Sequence, residues 1–332
     1  MYNVESYSLA VLLTFITMLC WGSWANTQKL AEKSWRFELF YWDYVIGIVL
    51  MSLFFAFTLG SFGDQGRSFL ADMKQADAAN LQKALLGGII FNAANILVAA
   101  AIAIAGMSVA FPVGIGIALV LGVIINYIAT PQGNALWLFA GVGLVTVAIV
   151  IDAMAYRKKA SQSMKIPTKG ILLSLAGGVM MALFYRFVAS SMTDDFVNPK
   201  VGFLTPYTAT FIFSLGVLLS NLLFNTILMK TPFEGTPVSY VQYFRGKAKE
   251  HMTGILGGMI WCVGMSLSII AAGKAGFPVS YGLGQGATLV AALWGVFIWK
   301  EFKGSKGTSG LLTAMFVLFV FGIGLIIYAG SH

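Results

Sequence analysis

Asn92 and Asn95 stand three residues apart in an otherwise apolar stretch, so on a helix they share one face. An amide offers two N–H donors and a carbonyl with two lone pairs. Two amides on one face suit a small neutral polar solute, and they suit equally the job of tying helices together. Gln285 brings a third amide, in Tyr281-Gly-Leu-Gly-Gln-Gly. Tyr281 lies one turn before it, and Gly282, Gly284 and Gly286 permit a loosened helix and a close backbone approach. Trp21 and Trp261 add aromatic faces deep in apolar stretches, able to stack on a planar or apolar solute face. Trp24 falls nearer an end, where an interfacial aromatic is expected. Tyr185, Tyr207 and Asn221 complete the set of candidate contacts.

The ionisable candidates are fewer. Asp43 opens the second apolar stretch and is a candidate proton carrier, or else a partner for Lys29 or Lys33. Arg186 lies inside the sixth stretch, as an anion or gating contact or as a side chain reaching outward to Asp194 and Asp195. Glu301, beside Lys300 and Lys303, reads as part of a solvated interfacial cluster. No carboxylate is placed at mid-stretch. His251 and His332 are the two histidines, and no H-E-x-x-H, Ser/His/Asp set or G-x-x-x-x-G-K-[ST] occurs. No enzyme, metal or cofactor is expected. Cys20 and Cys262 give neither a disulfide framework nor metal spacing.

The elements that hold these residues follow from composition. The 332 residues are 58% hydrophobic and 10% charged, with mean hydropathy +0.82, where soluble domains carry about 25% charge. That excludes a cytosolic enzyme, a disordered chain and a nucleic-acid module. A bilayer core takes about 20 apolar residues per helix, and ten stretches qualify: 8–28, 40–60, 84–105, 109–129, 134–154, 170–191, 206–229, 252–273, 277–299 and 309–329. Met1 to Tyr7 carries only Glu5, so the first stretch lacks the basic start of a cleaved signal. The odd-numbered connections hold 15 Lys and Arg and the even ones 5. Cations favour the cytoplasmic side, so both termini are expected outside a cell membrane. The bias explains the net charge of +8 without nucleic acid.

Shifting the chain by 170 residues aligns Gly87-Gly88 with Gly257-Gly258, Ala105-Gly106 with Ala275-Gly276, Gly114 with Gly284, and Leu119-Val120 with Leu289-Val290. Over 87–120 there are 12 identities in 34 ungapped positions. The third and fourth stretches thus match the eighth and ninth. The expected fold is an all-α integral membrane protein of ten helices, a five-plus-five repeat with halves 1–160 and 161–332. Five crossings per unit turn the second unit over, and inverted repeats suit alternating access around a midplane site.

"LCWGSWANTQKL", "YWDYVIG", "FTLGSFGD", "GGIIFNAANIL" with "GMSVAFPVGIGIALVLGVIINYI", and "GQGATLVAALWGVFIWKEFKG" together resemble the ureide permease family of the drug/metabolite transporter superfamily, in matching order along most of the chain. Bacterial glucose/ribose porters and the rhamnose–proton symporter are more distant in resemblance. The likeness implies secondary transport of allantoin, other ureides or nucleobases, with protons as a coupling partner. Monosaccharide transport is the alternative, and drug export a third reading. Plant members carry a phosphate-loop-like sequence in the central loop. Here that loop reads "YRKKASQSMKIPTKG", so no nucleotide site is implied. Expected partners are a small-molecule substrate, protons and the lipid bilayer, in a monomer or weak dimer.

Overall fold

The computed structural model describes residues 1–31, 35–105, 107–159, 168–233, 235–305 and 307–331. In chain order the helices are α1 Tyr7–Ser23, α2 Ala25–Ala31, α3 Phe37–Phe57, α4 Phe69–Gln75, α5 Ala78–Ala105, α6 Met107–Ala129, α7 Ala135–Lys159, α8 Thr168–Ser191, α9 Pro206–Lys230, α10 Tyr240–Phe244, α11 Ala248–Ala275, α12 Phe277–Gly284, α13 Ala287–Leu293 and α14 Ser309–Gly330. A π-turn, Trp294–Ile298, follows α13. Every apolar stretch of the sequence falls on helix. Among the described residues nine runs are long and apolar enough to cross a membrane, and Val113–Ala129 is a shorter apolar helix. That last segment lies within the 109–129 stretch, so nine of the ten expected spans are met by helices of full length.

Local chemistry sets several ends. The Ser6 side chain accepts from Leu9 N at the start of α1, and Asn134 Oδ1 accepts from Leu136 N at the start of α7, each satisfying an orphan amide. Pro206 and Pro278 sit in the first turns of α9 and α12, where no N–H is missed. Leu12, Leu19, Phe54, Leu172, Leu223, Val320 and Phe321 are exposed. So large an apolar surface needs lipid around it, and with the helix lengths it marks a multi-pass membrane protein.

The helices pair closely through glycine. α5 packs on α8 and α9, α11 on α1 and α3, and α7 on α14. At the α5–α9 crossing, Gly88 abuts Phe213 O and Gly216 abuts Leu85 O, so tightly that a Cβ would overlap the backbone. At the α11–α3 crossing, Gly258 abuts Tyr44 O and Gly47 abuts Ile255 O in the same way. Overpacking of this kind costs about 1–3 kcal/mol. Gly258→Ala is therefore expected to lower the thermal unfolding temperature in detergent. Gly143→Ala, with open space around it, should leave that temperature unchanged.

Candidate functional site

Two interruptions of α-helix face each other across the bundle. Trp24 separates α1 from α2, and Gln285-Gly286 separates α12 from α13. The Trp21 ring lies against Gly284, where a Cβ would meet it at 2.8 Å. A side chain there would displace the indole, so glycine brings the broken helix up to the tryptophan.

A cavity of about 660 Å³ opens between these breaks. Trp21, Trp261, Phe91 and Phe184 form its aromatic wall. The Trp21 and Trp261 rings stack 6.0 Å apart at 16°, and Trp21 Nε1 donates to Trp261 O at 3.2 Å. Phe91 meets Trp261 at 4.3 Å and Phe184 at 5.2 Å. Asn95, Gln285 and Thr288 add polar atoms. Asn95 Nδ2 donates to Tyr41 Oη at 3.1 Å, which leaves its carbonyl for a guest. The Gln285 side chain is 9% exposed, lines the cavity and has no hydrogen-bond partner among the described residues. Inside a low-dielectric wall such a group asks for a polar guest or water.

Of the residues singled out in the sequence, the structure brings Trp21, Asn95, Trp261 and Gln285 together at this cavity. The other four substrate-contact candidates lie outside its lining. Asn92 bridges three helices: Tyr41 Oη donates to its carbonyl at 2.9 Å, and its own Nδ2 donates to Ser220 Oγ at 2.9 Å. The fully buried Tyr281 donates its hydroxyl to Ala118 O at 3.0 Å. Tyr185 is within 3.2 Å of Ser268 Oγ. Asn221 is buried with both amide atoms unpartnered among the described residues. Of the weaker candidates, Tyr207 donates to Tyr2 O. Trp24 lines the cavity, its ring tilted against that of Tyr44 at 4.8 Å.

Asp43 is 1% exposed and ties three segments together. It accepts from Trp35 Nε1 at 3.1 Å, Tyr243 Oη at 2.7 Å and pairs with His251 Nδ1 at 2.8 Å. Burial, with the Asp43 carboxylate beside it, pushes the Tyr243 phenol well above its usual value, so it stays protonated and donating. Arg186 lies outside the cavity lining, with Asp194 as its acidic neighbour. Asp152, passed over in the sequence, faces the cavity beside Tyr156 and Glu301.

The mouth lies among Asn26, Lys29, Trp35, Glu38, Phe233, Trp299 and Glu301, on the face with the basic connections. Here Glu301 meets Lys29 Nζ at 2.7 Å and Tyr156 Oη at 2.8 Å, and Lys29 lies 4.3 Å over the Trp299 ring. Burial works to raise the Glu301 carboxyl, but the Lys29 and Tyr156 hydrogen bonds and the Lys29 and Lys159 charges outweigh it and hold it below the usual carboxylate range. A carboxyl depressed on folding adds stability above its unfolded pKa of about 4.3 and loses it as pH falls through the lower folded value. Thermal stability should therefore fall more steeply below about pH 4.3 in the wild type than in Glu301→Gln. Parallel curves would contradict this role.

The opposite face is tied by polar bonds. Arg67 joins Asp72 at 2.7 Å and donates to Pro199 O, Lys200 O and Phe203 O. Asp72, fully buried, also accepts from Thr205 N at 2.7 Å, Thr205 Oγ1 at 2.9 Å and Gln75 Nε2 at 3.1 Å. The Met1 ammonium donates to Gly63 O and Gln65 O. Opposite faces of the bundle are thus unlike: one bears residues that line the cavity, the other a cross-linked set of polar bonds.

Apolar helices wrapped around a cavity of aromatic rings and free amides define a membrane transport protein. The family model for ureide permeases matches residues 40–169 and 160–329. The chain belongs to the ureide permease family. It is 23% identical to ureide permease 1 of Arabidopsis thaliana over 100% of both chains. It is 24% identical to ureide permease 5 of Arabidopsis thaliana, covering 100% of this chain and 96% of that one. With the probable ureide permease A3 of Vigna unguiculata the identity is 22%, over 91% of this chain and 98% of the other. A crystal structure 16% identical in sequence superposes with a TM-score of 0.63 over 96% of each chain, so the fold is one already seen.

Proposed function

We propose that this protein is an alternating-access carrier of small neutral polar solutes, with ureides and nucleobases as its substrate class. The observation that carries the reading is the meeting of the unpaired Gln285 amide and the Asn95 carbonyl with the Trp21–Trp261 aromatic wall. A ureide is planar in each urea unit and alternates N–H with C=O. Amides satisfy both edges, and indole faces cover the plane. The names of the relatives point to ureides.

Alternating access is supported by the internal repeat. Phe91 and Trp261 correspond under the 170-residue shift, and their rings touch at 4.3 Å, as residues astride a two-fold axis do. The paired glycine crossings repeat with matching partners: Gly88 with Phe213 and Gly258 with Tyr44, Gly216 with Leu85 and Gly47 with Ile255. Ten crossings in two inverted halves account for both. On this reading the conformation described is open to the basic, cytoplasmic face and closed to the other.

Uptake into proteoliposomes tests the substrate. Labelled allantoin or uracil should accumulate, and ribose and glucose should not. Uptake of the sugars without any nitrogenous solute would replace the ureide reading with monosaccharide transport.

A further inference from the structure

Two of the three carboxylates that face the cavity are matched by cations. Lys29 closes on Glu301 at 2.7 Å, and Arg36 on Glu38 at 2.7 Å. Asp152 is the third, near the end of α7. Its Oδ1 is shut off from solvent with no hydrogen-bond partner among the described residues, while the residue faces the cavity. Among the described residues no cation is paired with it. α6 and α14, which pack on α7, contain no Asp, Glu, Lys, Arg or His, and neither does 287–298. The titratable groups beside Asp152 are Glu301 and Tyr156; Lys29 and Lys159 act on Glu301, and Lys29 is held by it.

A carboxylate with one oxygen closed off from water and without a partner is incompletely solvated when ionised, which is costly. A proton removes the charge and needs no space at the occluded oxygen. A metal cation needs a shell of oxygen ligands, which the apolar walls of α6 and α14 do not supply. Asp43, the carboxylate singled out in the sequence, is already bonded to three side chains.

We propose that Asp152 is the residue on which the carrier takes up one proton for each neutral solute it moves. The inference rests on the transporter reading given above. A proton from cavity water bonds to the Asp152 carboxylate and leaves a neutral carboxyl. Closing the cavity over solute and a neutral carboxyl strands no charge, whereas a carboxylate whose cavity water the solute has displaced would be stranded. When the opposite face opens, the O–H bond breaks and the proton returns to water there. Water refills the emptied cavity and solvates the Asp152 carboxylate while the carrier returns unprotonated, so one positive charge crosses with each solute.

The test uses full-length protein in proteoliposomes with allantoin as solute. A pH gradient should drive wild-type accumulation above the equilibrium level, and a sodium gradient should not. Asp152→Asn should lose the response to the pH gradient, whatever rate remains, and Asp152→Glu should recover part of it. Uphill, pH-driven accumulation by Asp152→Asn would overturn the assignment and leave the carrier reading intact. So would accumulation that follows sodium alone. Failure of allantoin uptake by the wild type would count against the ureide reading instead. Infrared difference spectra on a pH step judge Asp152 without any solute: the wild type should show a carboxyl C=O band that Asp152→Asn lacks. Identical spectra would overturn the proposal.

Discussion

Gln285→Ala is expected to weaken allantoin binding by on the order of ten- to a hundredfold. The side chain has a donor and an acceptor that no described residue occupies, at the point where α12 gives way to α13. A neutral hydrogen bond contributes about 0.5–1.5 kcal/mol net. Two of them to one solute come to roughly 1–3 kcal/mol, and each 1.4 kcal/mol is tenfold in affinity. The fold should survive the change, because the side chain supports no other residue. Isothermal titration of purified protein measures the loss. An unchanged Kd would remove Gln285 from the binding site.

Asp72→Ala should have the second large effect, at the other end of the molecule. The carboxylate is fully buried and satisfies Arg67, Gln75 and both donors of Thr205. Removing it leaves buried donors without a partner, each costing about 1–3 kcal/mol where water does not reach it. The closed face is then expected to open more often. Hydrogen exchange at the Thr205 amide should accelerate at least tenfold, with a lower unfolding temperature. Exchange as slow as in the wild type would show that the seal is held elsewhere, for instance by the Met1 ammonium on Gly63 and Gln65.

Much of the bundle was legible before any coordinates, because lipid imposes long apolar runs and turn residues separate them. Polar side chains within such runs are few, so Trp21, Asn95, Trp261 and Gln285 stood out. What the sequence lacked was the identity of distant partners. Asn92 and Asn95 share a helix face, yet Asn92 is consumed by Tyr41 and Ser220, which lie 51 and 128 residues away. Trp24 looked interfacial by its place along the first stretch, but it lines the cavity and packs on Tyr44, a partner that its own segment does not reveal. Asp152 was hidden by its neighbourhood. It stands five residues before Arg157, Lys158 and Lys159 and reads as part of a basic helix end. Only the approach of Glu301 and Tyr156 across the mouth shows that it faces the cavity. Asp43, at the start of the second stretch, read as a proton carrier or a partner of Lys29 or Lys33; its observed partners Trp35, Tyr243 and His251 are brought to it by other segments.

The central claim is a binding cavity reached from one face at a time. A single cysteine at Ala99, in the cavity wall, reports on it directly once Cys20 and Cys262 are replaced. An impermeant maleimide should label Ala99→Cys from the basic face alone when no solute is present. Allantoin should slow that labelling, and during turnover the opposite face should gain access. Labelling from both faces at once in the absence of solute, or from neither, would contradict the account.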